Sequence, residues 1–266
     1  MNSPAEIANN YIKTGCGKIA LPLSKMLVLS ILAGAYIAFG AVGSQVAAVT
    51  VESASMAKFA GALVFPVGLM LVLCAGSELF TGNCLLVIPV LEKKATLLGM
   101  LKSWLVVYVG NAIGGILVAA ACVYGHVFSL FDGKLAQSAV ATATAKVALP
   151  FGDAVIKGIL CNILVCLAVW VAFAAKELAG KIIGLFLPVM LFVLSGYEHS
   201  IANTYFIPAG IFGSAEYGIA AEGLNWGTCL VNNLLPVTIG NIIGGSLIVG
   251  CGYWFCYLWN AGGEKK

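Results

Sequence analysis

Long apolar stretches separated by short polar segments dominate the pattern of this sequence. A membrane-spanning helix needs about 20 apolar residues, and six blocks meet that length. These blocks cover residues 26–49, 59–91, 95–123, 153–173, 182–212 and 228–258. The pattern therefore predicts an all-α membrane protein with six transmembrane helices.

The segment before the first block has a different pattern. Ser3, Pro4 and Glu6 stand in an order typical of a helix start. Ser3 can cap the helix, Pro4 suits its first turn, and the Glu6 side chain can accept the backbone N–H of Ser3 to complete a capping box. Ile7 and Tyr11 would then lie on one face of that helix. We expect residues 1–25 to contain a short amphipathic helix on the membrane surface.

Two of the apolar blocks, 59–91 and 182–212, are too long for one straight crossing. Each exceeds by about half the length that a hydrocarbon core of ~30 Å requires. Polar residues and glycine interrupt them, in "AGSELFTGN" (75–83) and "LSGYEHSIAN" (194–203). These stretches predict broken helices, because non-helical backbone at membrane depth must be buried in protein or line a wet cavity.

The two interruptions also resemble each other. Both follow the spacing G-x-E-x-x-x-x-N, which holds Gly76, Glu78, Asn83, Gly196, Glu198 and Asn203. A second echo comes later in each half, as "GNAIGG" (110–115) and "GNIIGG" (240–245). Two echoes in the same order indicate an internal repeat. With three spans in each half, the second half must be inverted relative to the first.

The repeat divides the chain into four parts. We expect an amphipathic amino-terminal segment (1–25), a first three-helix repeat (26–124) and an external linker (125–152). A second three-helix repeat with a short cytoplasmic tail (153–266) follows. In this 3+3 arrangement helices two and five are the broken ones.

Composition and charge agree with a membrane class and exclude others. The chain is 61% hydrophobic and 9% charged, far from the roughly one quarter charged residues of soluble domains. The net charge of +3 comes without a basic tract, so we expect no nucleic-acid partner. The nine cysteines form no C-x-x-C pair and support neither a disulfide framework nor a metal site. No cofactor and no enzymatic activity are expected.

The lysines predict the orientation in the membrane. All 14 basic residues are lysines. The side that holds both termini carries Lys13, Lys18, Lys25, Lys93, Lys94, Lys102, Lys176, Lys181, Lys265 and Lys266, whereas the other side carries Lys58, Lys134 and Lys146. Because positive residues favour the cytoplasmic side, we expect a multi-pass protein of the inner or plasma membrane with both termini in the cytoplasm.

Polar residues inside the spans are the candidate functional groups, since charged groups there are costly and rarely face lipid. His199 lies at the second break, where desolvation favours a neutral imidazole that donates one hydrogen bond and can pass a proton. Glu78 and Glu198 flank the breaks, and we expect them to accept hydrogen bonds from unpaired backbone amides. Thr81 offers either a pore hydroxyl or a local turn bond, and Lys157 either snorkels outward or adds positive potential over a pore.

Several longer stretches resemble the formate/nitrite transporter family. These stretches are "AGAYIAFG" (33–40), "AGSELFTGN", "KGILCNILVCLAVW" (157–170), "SGYEHSIAN" and "LLPVTIGNIIGG" (234–245). They occur in family order and cover essentially the whole chain. The resemblance implies an aquaporin-like protomer with an inverted repeat, and a homopentamer with one pore in each protomer.

The resemblance also implies roles for individual residues. It makes His199 the central pore histidine, helped by Thr81, and places Asn162 and Asn203 in the pore region. It puts Lys146, a loop lysine by its local pattern, at the external mouth with Lys157 as companion. One implied constriction contains Leu79, Phe80 and Val165, and the other contains Phe65, Leu69 and Phe192. Taken from the residues alone, these side chains are equally explained by helix packing.

The resemblance implies passage of small monovalent anions, namely formate, nitrite or hydrosulfide, together with protons. "GSELFTG" and the lysine before "GILCN" look nearer to nitrite and hydrosulfide members than to enterobacterial formate channels. A neutral-solute channel, such as a water pore, is the alternative in the same class. An intramembrane serine protease using Ser195 is the alternative in another class, but its usual G-x-S-G context is missing.

Overall fold

The protein, in a computed structural model that describes residues 1–259, consists of helices joined by short connections. The helices within this range are α1 (Pro4–Ile19), α2 (Leu23–Ala48), α3 (Ala54–Gly76), α4 (Phe80–Leu91), α5 (Leu97–Tyr124), α6 (Lys134–Val147), α7 (Phe151–Ala174), α8 (Leu178–Leu194), α9 (Ser200–Glu216) and α10 (Trp226–Tyr257). The final residues of the predicted tail, including Lys265 and Lys266, lie outside the described range.

Five of these helices are long and apolar enough to cross a membrane. They are α2, α3, α5, α7 and α10, with mean hydropathy between 1.8 and 2.3. Helices α4 and α8 are apolar but shorter. The all-helical prediction is therefore confirmed, and five of the six predicted blocks contain a helix of crossing length.

The two overlong blocks contain non-helical backbone at their polar centres. Helix α3 ends at Gly76, and three non-helical residues separate it from the start of α4. Helix α8 ends at Leu194, and α9 begins at Ser200 after a turn. Gly76 (φ +82°) and Gly196 (φ +70°) adopt the left-handed conformation, which glycine reaches without steric cost. We call residues 77–79 and 197–199 the first break and the second break.

Close helix packing explains the glycine-rich echoes. Helix α2 packs along α5, and α7 packs along α10. A Cβ atom on Gly114 would collide with the carbonyl oxygen of Ile31, and one on Gly244 would collide with the carbonyl oxygen of Ile159. The absence of a side chain therefore lets the two backbones of each pair approach closely.

Helix α1 begins with the predicted capping box. The Ser3 backbone N–H donates to the Glu6 carboxylate at 2.6 Å, and the Glu6 N–H donates to the Ser3 hydroxyl at 3.3 Å. The Ser3 backbone N–H lowers the pKa of the Glu6 carboxyl because it donates to the charged form, and the Ser3 side chain lowers it further. Ile7 and Tyr11 share a face as predicted, but that face is buried against the protein, where the Tyr11 hydroxyl donates to the Gly82 carbonyl at 3.4 Å.

The region predicted as a linker contains a helix. Residues 125–152 include α6, whose last turn carries Lys146, so Lys146 is not a loop residue. Helix α6 precedes α7 in the chain as α1 precedes α2, and the last turn of α1 likewise carries a lysine, Lys18. We call α1 and α6 the accessory helices; each has a lysine in its last turn.

Candidate functional site

Two asparagines from the glycine-rich echoes hold the backbone at the breaks. At the first break, the Phe80 N–H donates to Asn111 Oδ1 at 2.9 Å, and Asn111 Nδ2 donates to the Glu78 carbonyl at 2.8 Å. At the second, the Ser200 N–H donates to Asn241 Oδ1 at 2.9 Å, and Asn241 Nδ2 donates to the Glu198 carbonyl at 3.0 Å. At each polar interruption, one amide side chain thus binds the glutamate carbonyl and the first backbone N–H of the helix that follows.

The glutamates at the breaks have side-chain partners, which corrects the expectation that backbone amides bind them. Lys18 Nζ donates to both Glu78 oxygens at 3.0 Å, and Asn83 Nδ2 donates to Glu78 Oε2 at 2.8 Å. The backbone groups are already served by Asn111 and Asn241, so the carboxylates are left free to bind the accessory-helix lysines.

The second break repeats this arrangement. Lys146 Nζ donates to both Glu198 oxygens at 2.9 Å, and Asn203 Nδ2 donates to Glu198 Oε2 at 2.6 Å. Glu198 is buried, and a buried carboxylate needs a cation or hydrogen bonds to remain charged. We call the groups Lys18–Glu78–Asn83 and Lys146–Glu198–Asn203 the first and second triads.

His199 and Thr81 form a buried polar pair between the two halves. His199 is the N-cap of α9, and its Nδ1 accepts the Ala202 N–H at 3.0 Å. A nitrogen that accepts a hydrogen bond carries no proton, so the neutral imidazole has its proton on Nε2. Nε2 lies 3.0 Å from Thr81 Oγ1 and is therefore the donor in that bond. Both residues are buried.

Two cavities lie beside this pair: His199 lines one of them, and Gly82, next to Thr81 in the chain, lines the other. The first, about 550 Å³, is lined by Lys18, Lys181 and Glu78, and we call it the Lys18 cavity. The second, about 480 Å³, is lined by Lys146, Lys58, Glu198 and His199, and we call it the Lys146 cavity. Each contains one triad.

Apolar side chains contribute to the lining of both cavities. All six predicted constriction residues are buried. Leu69 and Leu79 line the Lys18 cavity, whereas Phe65 and Phe192 line the Lys146 cavity with their ring centroids 5.6 Å apart. Leu69 therefore lies with Leu79 and not with the two phenylalanines, which differs from the predicted grouping.

The remaining two predicted constriction residues line neither cavity. Val165 is buried in α7. The Phe80 ring packs on Trp104 and Tyr108 of α5, with centroids 6.0 and 5.0 Å away. The contacts of Phe80 are those of helix packing.

Of the other predicted pore residues, Asn203 lines the Lys146 cavity, and Asn162 and Lys157 line neither cavity. Asn162 Nδ2 donates to the Thr81 carbonyl at 3.2 Å and to the Asn241 carbonyl at 2.6 Å, so it holds the backbone that presents Thr81. The Lys157 carbonyl accepts the Glu198 N–H at 3.3 Å, and its side chain is half-buried. The predicted companion of Lys146 at the cavity is therefore replaced by Lys58.

Sequence reasoning assigned no role to four residues at this site. Asn111 and Asn241 stand at equivalent positions of the two echoes, "GNAIGG" and "GNIIGG", which was a usable signal. Lys18 and Lys58 entered the sequence argument only through the lysine count that predicts membrane orientation, Lys18 on the cytoplasmic side and Lys58 on the external side. No local pattern distinguishes these two lysines from the others, because their roles depend on contacts distant in sequence.

Comparisons with known proteins agree with this architecture. A family model described as formate/nitrite transporter matches residues 5–255. A probable formate transporter of Methanothermobacter thermautotrophicus is 40% identical over 274 residues, covering 96% of this chain and 97% of that protein. The formate channel FocA of Escherichia coli (strain K12) is 37% identical over 268 residues, covering 96% and 94%.

A solved structure gives the same result. A pentameric formate channel with formate bound superposes with a TM-score of 0.79 and 36% sequence identity, covering 89% of this chain and 98% of that chain. These relatives are channels and transporters rather than enzymes, in agreement with the expectation from the sequence. They favour neither the neutral-solute pore nor the protease. This chain is a multi-pass membrane protein that belongs to the formate/nitrite transporter family.

Proposed function

We infer that this chain is a channel for small monovalent anions, with formate as the leading substrate. The observation that carries the proposal is the buried His199–Thr81 pair between two cavities, each with one more lysine than glutamate in its lining. Such an arrangement supplies positive potential at both entrances and hydrogen bonding between them. We choose formate as the substrate because the similar proteins are named as formate channels or transporters.

The proposed topology has six crossings in two inverted halves. Helices α3 with α4, and α8 with α9, each form one crossing that is broken at its centre, and α2, α5, α7 and α10 are the other four. We place both termini and the Lys18 cavity on the cytoplasmic side, because the lysines are concentrated there. A homopentamer with a pore in each protomer is proposed from the pentameric relative.

The proposed permeation path crosses an apolar barrier. Leu69 and Leu79 on one side, and Phe65 and Phe192 on the other, strip water from the ion. An unsolvated charge in an apolar medium is costly, so a group that replaces the lost hydration lowers the barrier. We assign this role to the Nε2–H of His199 and the hydroxyl of Thr81.

The geometry favours hydrogen-bond donation over proton donation by His199. An imidazolium needs protons on both nitrogens, and a proton on Nδ1 would displace the Ala202 N–H that caps α9. A weak acid that arrives already protonated crosses the barrier more cheaply than its anion. The proposed coupling to protons therefore takes place in the cavities.

Flux into proteoliposomes tests the proposal. Formate, nitrite and hydrosulfide are compared in one preparation, with empty liposomes as the background. We expect formate flux well above background and a loss of roughly tenfold or more in His199→Phe, since about 1.4 kcal/mol of lost hydrogen bonding is a factor of ten. Nitrite or hydrosulfide flux faster than formate flux would instead support the resemblance of this sequence to the nitrite and hydrosulfide members of the family.

Lys134→Gln serves as the matched control, because its exposed side chain at the start of α6 lines neither cavity. Its flux should equal that of the parent protein. Parent flux at background for all three anions would reject the channel assignment, and unchanged flux in His199→Phe would reject the role of the histidine alone.

A further inference from the structure

Each cavity contains one lysine whose charge is neutralised within the protein. Lys146 Nζ lies 2.9 Å from both oxygens of Glu198, and the Phe206 ring centroid is 5.4 Å away. Lys18 Nζ donates to both Glu78 oxygens and to Asn83 Oδ1, each at 3.0 Å. An ammonium group has three donors, so Lys18 has none left for a permeating anion.

Each cavity also contains a second lysine that forms no such pair. Lys58 lines the Lys146 cavity, and Lys181 lines the Lys18 cavity. Within residues 1–259, the ion pairs closer than 4.0 Å are those of the two triads, and neither Lys58 nor Lys181 takes part in them. The net positive charge of each cavity therefore resides on its unpaired lysine.

We propose that Lys58 and Lys181 are the anion-collecting charges of the two cavities, and that the paired lysines, Lys146 and Lys18, instead hold the helix breaks in place. This inference rests on the proposed anion permeation and names the groups that recruit the ion. It differs from the role at the external mouth that sequence resemblance implies for Lys146 and Lys157.

The physical reason is the range of the field. A lysine in contact with a carboxylate forms a dipole, whose potential falls off faster than that of a single charge. A single charge in a cleft with low-dielectric walls focuses its field into the opening and raises the local concentration of counter-ions. Lys58 is exposed and Lys181 is partly exposed, so both can meet a hydrated anion before it reaches the apolar barrier.

The position of Lys58 also suits a structural role, and the experiment must separate that role from anion collection. Its Nζ would lie 3.7 Å from a Cβ atom built on Gly196, next to the carboxyl end of α8. A cation at a helix carboxyl end interacts favourably with the helix dipole. A purely structural role of this kind would change stability, whereas collection of anions changes flux in a way that salt screens.

The experiment measures formate flux in proteoliposomes at two ionic strengths for Lys58→Gln, Lys181→Gln and the control Lys134→Gln, whose exposed side chain lines neither cavity. At about 0.01 M salt the Debye length is ~30 Å, and near 1 M it is ~3 Å. We expect each of the first two variants to lose about threefold to tenfold at low salt and less than about twofold at high salt. Lys58→Arg should keep the parent flux, and so should Lys134→Gln.

Chemical modification removes any dependence on folding of the variant. Lys58→Cys is reconstituted and then treated with 2-aminoethyl methanethiosulfonate, which adds a cation, or with methyl methanethiosulfonate, which does not. Only the cationic reagent should restore low-salt flux. The parent protein is treated in parallel, because Cys74 and Cys256 are exposed.

The outcomes separate this inference from the proposed function. Parent liposomes that carry no formate, nitrite or hydrosulfide above background would reject both. Normal parent flux with unchanged low-salt flux in Lys58→Gln and Lys181→Gln would overturn this inference alone. A loss that is equal at low and high salt, or equal restoration by both reagents, would also overturn it.

Discussion

Replacing Lys146 by methionine removes the cation that binds the Glu198 carboxylate. The two side chains are 16% and 7% exposed, and the ammonium lies 2.9 Å from the carboxylate. Breaking a buried ion pair from one side costs about 3–5 kcal/mol, because the other charge stays buried without its partner. Asn203 still donates to Glu198 at 2.6 Å, so we expect the lower end, about 3 kcal/mol.

Thermal unfolding in detergent, followed by tryptophan fluorescence, measures this loss. For a chain of this size 1 kcal/mol corresponds to roughly 2–4 °C in Tm, so Lys146→Met should lower Tm by about 6–12 °C. The double variant Lys146→Met/Glu198→Gln should recover half of that loss or more, because no charge is then left buried and unpaired. Lys157→Met, as the control, should stay within about 2 °C of the parent.

One result would refute the reasoning. If Lys146→Met keeps the parent Tm but loses formate flux only at low salt, Lys146 acts as a free charge and not as a partner of Glu198. Absence of recovery in the double variant would show that the cost arises from lost packing of the lysine stem rather than from the carboxylate.

Three further predictions concern the pore pair, a break and a close packing contact. Thr81→Val should lower formate flux in liposomes by about threefold to tenfold, while Thr81→Ser should retain it, because one hydrogen bond is worth about 0.5–1.5 kcal/mol. Asn241→Leu leaves several backbone groups without partners and should lower stability by on the order of 3 kcal/mol in thermal unfolding. Asn232→Leu removes a single bond, from an exposed amide to the Val147 carbonyl, and should cost about 1 kcal/mol or less. Gly244→Val should prevent close packing of α7 on α10 and reduce the yield of assembled protein in gel filtration, whereas Gly252→Val, with open space around it, should not.

Local signals in the sequence located the helices and their interruptions. The glycines of "AGSELFTGN" and "LSGYEHSIAN" coincide with the left-handed residues Gly76 and Gly196, because that backbone conformation is a property of the residue itself. The capping box at Ser3 is local in the same sense. The crossing that we propose for α8 and α9 is harder to detect by hydropathy, because each of these helices has only 17 residues, fewer than the ~20 that a crossing needs.

The partners of the polar residues could not be predicted in this way. Lys18 and Glu78 are 60 residues apart, and Lys146 and Glu198 are 52 apart. Nothing in a short window links such residues, and the sequence argument therefore assigned backbone amides to the glutamates. The linker was interpreted as a loop for a related reason. Helix α6 is less apolar than the membrane-crossing helices, and it is held in position by packing against α9, which is distant in sequence.

The sequence by itself determined the class of protein, the apolar helices and the position of the polar interruptions, because hydropathy and backbone preference act over a few neighbouring residues. Only the tertiary structure decided which polar groups meet. Thr81 and His199 come within 3.0 Å although 118 positions separate them in sequence. That contact exists because two halves of the chain pack against each other, and packing between halves is what determines which lysines are paired with a glutamate and which remain free to meet an anion.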